Sequence, residues 1–194
     1  MLVVGNGESR KTVDINNYNC EKIGCNAIHR DYRVDHLICA DMRMVNEALG
    51  NTFYKKSYIY TRQDWFVRYR LEPNIKMLPE LPYKGTQRWD DPFHWGSGPY
   101  AVLLGAMLTK NQTVKMLGFD LYGIDNKINN VYKDTENYKK SASRAVDPIY
   151  WIYQIAKVFE CYPNTIFKIY NKEDWILPEQ WKKSNVILDK ISNT

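Results

Sequence analysis

Six short apolar runs punctuate the first 170 residues: Leu2–Val4, Lys22–Cys25, 36–40, 57–60, Thr113–Leu117 and 165–170. They are β-branched or aromatic, and most end in Gly, Asn or Asp, which is how buried strands read. Helical spacing lies between them. Residues 99–109 are rich in Ala, Leu and Met, 147–159 carry Ile149, Ile152, Tyr153, Ala156 and Phe159, and 41–49 form a shorter candidate. Strands alternating with helices predict an α/β fold: a three-layer sandwich with a mostly parallel, Rossmann-like sheet and helices on both faces.

A length of 194 residues suits a single domain over 1–194. Residues 72–95, with Pro73, Pro79, Pro82 and Pro92, break the rhythm and read as a long irregular crossover. The tail at 171–194 carries Trp175 and Trp181 among charges and is expected to pack on the body or on another subunit, so a homo-oligomer is one reading. Hydrophobic residues at 44% and charged residues at 25% exclude disorder, collagen and coiled coil. A net charge of +5 permits an anionic ligand such as a nucleotide but argues against a nucleic-acid partner. No run reaches the length of a membrane span. With no export signal either, the expectation is a cytoplasmic protein whose four cysteines are reduced. Cys20, Cys25, Cys39 and Cys161 form no CxxC pair, the histidines stand apart from them, and no metal site is expected. Aromatic residues at 14% (15 Tyr, 6 Trp and 6 Phe) are in excess, as in a surface that grips rings, sugars or a partner.

In an open parallel sheet, ligands collect at the carboxyl ends of the strands. The first run leads into Gly5-Asn6-Gly7-Glu8-Ser9, the second ends in Gly24-Cys25-Asn26, the third in Ala40-Asp41, and 113–117 runs into Gly118-Phe119-Asp120-Leu121-Tyr122. Small and amide-bearing residues therefore arrive together on one rim. The GxG lets a backbone approach a phosphate, or simply makes a tight turn. The third glycine of a dinucleotide fingerprint is absent, because Arg10 fills its place. His94-Trp95-Gly96-Ser97-Gly98-Pro99-Tyr100 opens the 99–109 helix. Ser97 reads as its N-cap, and free amides there favour an anion.

Other residues carry weaker signals. His94 and His29 lie near rim motifs and could act as a base or remain structural. Asp90-Asp91 reads as a capped turn. The 60–70 run interleaves Arg with aromatics and reads as a packed edge, with Arg62 within reach of a ligand phosphate. Cys25 has no obvious His partner in sequence and reads as an inert buried thiol.

The ordered blocks GNGES, GCN, SG and GFDLY resemble the bacterial sialyltransferases of glycosyltransferase family 42, which read roughly GNGPS, RCN, SG and GIDFY. Pterin pyrophosphokinase-like domains share a similar opening and sheet. The resemblance implies a cytidine-monophosphate sugar as donor substrate, transferred to a carbohydrate hydroxyl without metal or added cofactor. Asn6, with Gly7 beside it, and Asn26 would lie near the phosphate. Ser97 and Gly98 would contact the nucleotide, and Asp120, beside Gly118, the ribose. Asp41 stands where the family has an Asn that touches the donor. Tyr122 and Tyr132 would stabilise the departing phosphate, which is physically sensible because preformed donors lower the barrier to charge build-up. Glu8 stands where the family has Pro. The family's general-base His, expected within 132–146, has no counterpart; Lys139, Lys140, Ser141 and Arg144 stand there. The alternatives are a pterin or nucleotide diphosphokinase-like enzyme on the same scaffold and a nucleotide-binding module that has lost its chemistry.

Overall fold

The computed structural model describes residues 1–51 and 54–191. Eight parallel strands form one sheet, in the order β5-β4-β3-β2-β1-β6-β7-β8. The strands are β1 (Leu2–Val4), β2 (Lys22–Cys25), β3 (His36–Ile38), β4 (Tyr58–Thr61), β5 (Ile75–Met77), β6 (Thr113–Leu117), β7 (Ile166–Asn171) and β8 (Val186–Lys190). The helices are α1 (Met42–Leu49), the single turn α2 (Gln63–Phe66), α3 (Ser97–Thr109) and α4 (Ile149–Cys161). The sheet is wholly parallel, so the expected α/β sandwich holds.

Alternation along the strands sorts two cores, one on each face. On one face, Val3, Ile23, Ile38, Val114, Met116, Phe167 and Ile169 pack with α3 and α4. On the other, Leu2, Val4, Leu37, Ile59 and Leu117 pack with Ile15, Ile28, Met44, Val45, Ala48 and Tyr132. Central strands buried on both faces read as apolar runs, which is why β1 and the Ile23–Cys25 stretch of β2 stand out in the sequence. The helix α3 is buried from Pro99 to Ala106, lying between the sheet and α4. At Gly105 the helix comes so close to β1 that a Cβ would sit 2.8 Å from Val3 Cγ2.

Two segments are more ordered than the sequence predicts. The 72–95 crossover contains the edge strand β5, then 3-10 turns at Arg88–Asp90 and Pro92–His94. Gln154 of α4, fully buried, donates to the carbonyls of Trp89 (3.4 Å) and His94 (3.1 Å), pinning these turns to the body. The tail contributes β8, paired along β7, and Trp181, which is fully buried and donates from Nε1 to the Ile152 carbonyl at 2.9 Å. Described residues of the tail thus join the chain's own sheet and core. Both missed strands are sheet edges, β5 with one buried residue and β8 with none, and half-polar edges give no apolar run.

Strand order reverses between β1 and β6, and there the backbones nearly touch. Gly5 N–H donates to the Leu117 carbonyl (2.8 Å), and Gly7 N–H to the Gly118 carbonyl (2.9 Å). Gly118 adopts φ +74°, and a Cβ on it would lie 2.7 Å from the Gly5 carbonyl oxygen. Left-handed backbone and a backbone clash together predict that Gly118→Ala costs about 3 kcal/mol. Chemical denaturation at unchanged m-value checks this, and a loss below about 0.5 kcal/mol would contradict the packing described.

Candidate functional site

At the carboxyl ends of β1, β2 and β6 lies a cleft of about 330 Å³, at the point where strand order reverses. Seven of the expected binding residues line it: Asn6, Gly7, Asn26, Ser97, Gly98, Gly118 and Asp120. The opposite wall is Tyr150, Trp151 and Ile155 of α4, with Phe119, Leu121, Asn129 and Asn130 completing it.

The strand ends are locked to one another by their own polar side chains. Asn6 Nδ2 donates to the Cys25 carbonyl (3.1 Å) and to the Tyr138 hydroxyl (3.4 Å), bridging β1 to β2. Its Oδ1 is buried and has no protein partner. Asn26 holds the left-handed φ of 50° that Asn tolerates, and its Oδ1 accepts from Ser97 Oγ at 2.9 Å. Ser97 Oγ accepts in turn from Ala40 N at 3.2 Å. Ser97 is therefore not the helix cap expected from the sequence. Gly96 is the N-cap and makes no side-chain cap bond, while the Ser97 hydroxyl fastens α3 to β2 and β3. The amides of Ser97 and Gly98 belong to the first turn of α3, where a helix has no acceptor of its own.

Asp120 is 6% exposed and accepts from Ser9 N at 2.8 Å and from Ser9 Oγ through a short bond. Both carboxylate oxygens are thus engaged in holding the turn after β1. Gly7 is required there, because a Cβ would fall on that carboxylate. The first loop's glycines are fixed by the chain's own close packing, and Asp120 positions that loop.

Three expected residues fall outside the cleft. Asp41 caps α1, accepting from Arg43 N at 2.9 Å, and pairs with the Arg43 guanidinium at 2.8 Å, which holds its carboxyl below the usual range. It lines an adjoining hollow with Arg62 and Trp65. Tyr132 is buried on the far face of the sheet: its hydroxyl accepts from Arg10 (2.8 Å) and donates to Asp31 (2.7 Å). Tyr122 lies beside the cleft, with its ring against Trp175.

The tyrosine that does reach Asn6 is Tyr138. Its hydroxyl accepts from Asn6 Nδ2 and from Ala27 N at 3.3 Å, and burial pushes its pKa up to about 12, so it keeps its proton. No strand precedes Tyr138, Asn129 or Asn130, so reading the rim from strand ends misses them. The irregular 124–145 segment is held over the rim by Val131 N donating to the Asn6 carbonyl at 2.8 Å and Glu8 N donating to Asn129 Oδ1 at 2.9 Å.

The cleft offers backbone amides, side-chain amides and an aromatic wall, with no cation lining it. Among the described residues no cluster of His, Cys, Asp and Glu is arranged to hold a metal ion. Burial raises the Cys25 thiol to about 12, so it is no nucleophile. Neither His29 nor His94 lines the cleft. His94 sits on the surface against Arg88, with 3.4 Å between Nε2 and Arg88 Nε.

His29 is buried behind the rim, 3.6 Å from Glu47. Burial lowers its pKa, although the Glu47 carboxylate pulls the other way. The unfolded chain therefore takes up this proton more readily than the folded one. Stability is full above about pH 6.5 and falls as pH drops from there through the folded pKa. His36, also depressed by burial, acts in the same sense. Thermal midpoints from about pH 7 to 5 should slope less for His29→Leu than for the parent, and equal slopes would count against this account.

Compared with protein-family models, curated proteins and solved structures, the chain matches none.

Proposed function

We propose that the cleft binds the nucleoside-monophosphate part of an activated sugar, and that the protein is a glycosyltransferase-like enzyme. The observation that carries this reading is the set of neutral donors around one helix start. The Ser97 and Gly98 amides, at the positive end of the α3 dipole, suit a single negative charge that needs no cation beside it. Asn26 Nδ2 has no protein acceptor among the described residues and stands beside them. Asn6 also lines the cleft, its Nδ2 held by the Cys25 carbonyl. Trp151, Tyr150 and Phe119 offer flat apolar surface to a ring.

In the transfer, an acceptor hydroxyl oxygen bonds to the anomeric carbon. The bond from that carbon to the phosphate oxygen breaks, its electron pair stays on the phosphate, and the hydroxyl proton passes to solvent. Donors already in place at the phosphate stabilise the charge that accumulates there.

A second reading, a nucleotide-binding module without chemistry, is favoured by one observation. The cleft's one carboxylate, Asp120, is already engaged by Ser9, and no histidine lines the cleft. Both readings predict binding of cytidine monophosphate, measured by calorimetry, and both expect Asn26→Asp to weaken it about tenfold by replacing a donor with a charge that repels phosphate. Failure of the parent protein to bind, or equal affinity in the variant, removes both. Release of cytidine monophosphate from a cytidine-monophosphate sugar then separates them: turnover supports the transferase, and its absence despite binding supports the module.

A further inference from the structure

Asn129 and Asn130 give the cleft one of its walls, and they belong to the irregular 124–145 segment. Little apolar burial holds that segment down. All of its residues are described, and Tyr132 alone is buried. Segments with few buried apolar contacts open at low cost, so polar anchors decide whether this wall stays in place.

The anchors come from alternate residues of the loop after β1. The Asn6 carbonyl accepts from Val131 N at 2.8 Å, Glu8 N donates to Asn129 Oδ1 at 2.9 Å, and Arg10 Nη2 donates to the Tyr132 hydroxyl at 2.8 Å. Glu8 adds a contact of another kind. Its carboxylate, 15% exposed, meets Lys133 Nζ at 2.5 Å and Lys11 Nζ at 3.2 Å. Burial works to raise the pKa of this carboxyl, but the two ammonium groups outweigh it and hold the group below its usual range. Glu8 thus grips the wall at two points, Asn129 through its backbone and Lys133 through its side chain. Its own place is fixed, because Gly7 N–H is bonded to the Gly118 carbonyl and Ser9 to Asp120. Farther along the segment the anchor changes: Arg30 donates to Thr135 Oγ1 at 2.6 Å and to the Glu136 carbonyl at 3.0 Å. The Glu8 contacts therefore govern the stretch 129–133.

Neither Glu8 nor Lys133 lines the cleft, so whatever they do to a ligand passes through Asn129 and Asn130. A proline, which stands at this place in the sialyltransferases the sequence resembles, has neither the N–H nor the carboxylate, so both contacts are this chain's own.

We infer that Glu8 is a positioning residue of the cleft: with Lys133 it latches the wall of Asn129 and Asn130 in place, and so sets how fast a bound nucleotide leaves. The inference rests on the nucleotide reading of the cleft.

The test compares the parent with Glu8→Gln, Lys133→Met, the double variant and Lys133→Arg. Amide exchange followed by NMR reads the latch in the protein alone, and stopped-flow displacement of cytidine monophosphate reads its effect on the site. The amides of Val131, Tyr132 and Lys133 are expected to exchange about fivefold faster in either single neutral variant, while those of β1 and β6 keep the parent's rates. Cytidine monophosphate should leave about fivefold faster in both. The double variant should match either single one, because each breaks the same contact, and Lys133→Arg, which keeps the charge, should stay within about twofold of the parent. Exchange or release that is unchanged in both single variants overturns the inference, and so do effects that add in the double variant. If the parent binds no cytidine monophosphate, the nucleotide reading falls and takes this inference with it, whatever exchange shows.

Discussion

The close approach of Gly5 and Gly118 is the constraint on which the rest of the site depends. It joins the two strands where the sheet changes direction, and neither position has room for a Cβ. Once these backbones meet, Gly7 hydrogen-bonds to Gly118 and Asp120 is brought against the Ser9 turn. The Asn6 carbonyl then holds Val131, and Asn6 Nδ2 holds the end of β2. Each step fixes one wall of the cleft, so its geometry is set by backbone packing before any ligand arrives, the condition under which donors stabilise charge without reorganising.

The same logic explains the polar inventory. The cleft is lined by amides and asparagines and by one carboxylate, that of Asp120, which Ser9 already engages. Side-chain amides can spend one atom on the scaffold and leave the other open to the cleft; Asn26 accepts from Ser97 through Oδ1. A carboxylate or a cation in those places would need a full partner within the protein. Asp120 has one, and it supports the loop.

Most of the sheet was legible because its central strands are buried on both faces. The register at the switch point was not, yet the residue types it requires, Gly after β1 and Gly after β6, were visible as motifs. Seven cleft residues followed from one rule, that strand ends share a rim. The rule has no purchase on residues delivered by irregular chain. Asn129 and Asn130, which line the cleft, and Tyr138, which bonds Asn6, come from 124–145, where the backbone visits positive φ at Asp125, Asn126, Asp134 and Asn137 and turns too often for spacing to reveal which side chain faces inward. Tyr132 and Tyr138 are both tyrosines of that segment. Tertiary packing alone decides that Arg10 and Asp31 take the first and Asn6 the second.

The aromatic surplus divides along the same lines. Phe159, Trp181, Tyr100 and Trp95 are core and account for part of the excess. Trp151 and Tyr150 stand at the cleft, and Tyr122 and Trp175 at a hollow beside it, in pairs with ring centroids 4.8 Å and 6.2 Å apart. The second pair depends on the tail: Trp175 precedes β8, and Ile191 N donates to the Asn171 carbonyl at 2.9 Å, tying the end of β8 to the floor of that hollow. Addition of the edge strand thus has a consequence beyond the sheet. It orders the loop after β7, and with it the surface that faces the cleft across Asp120 and Asn129.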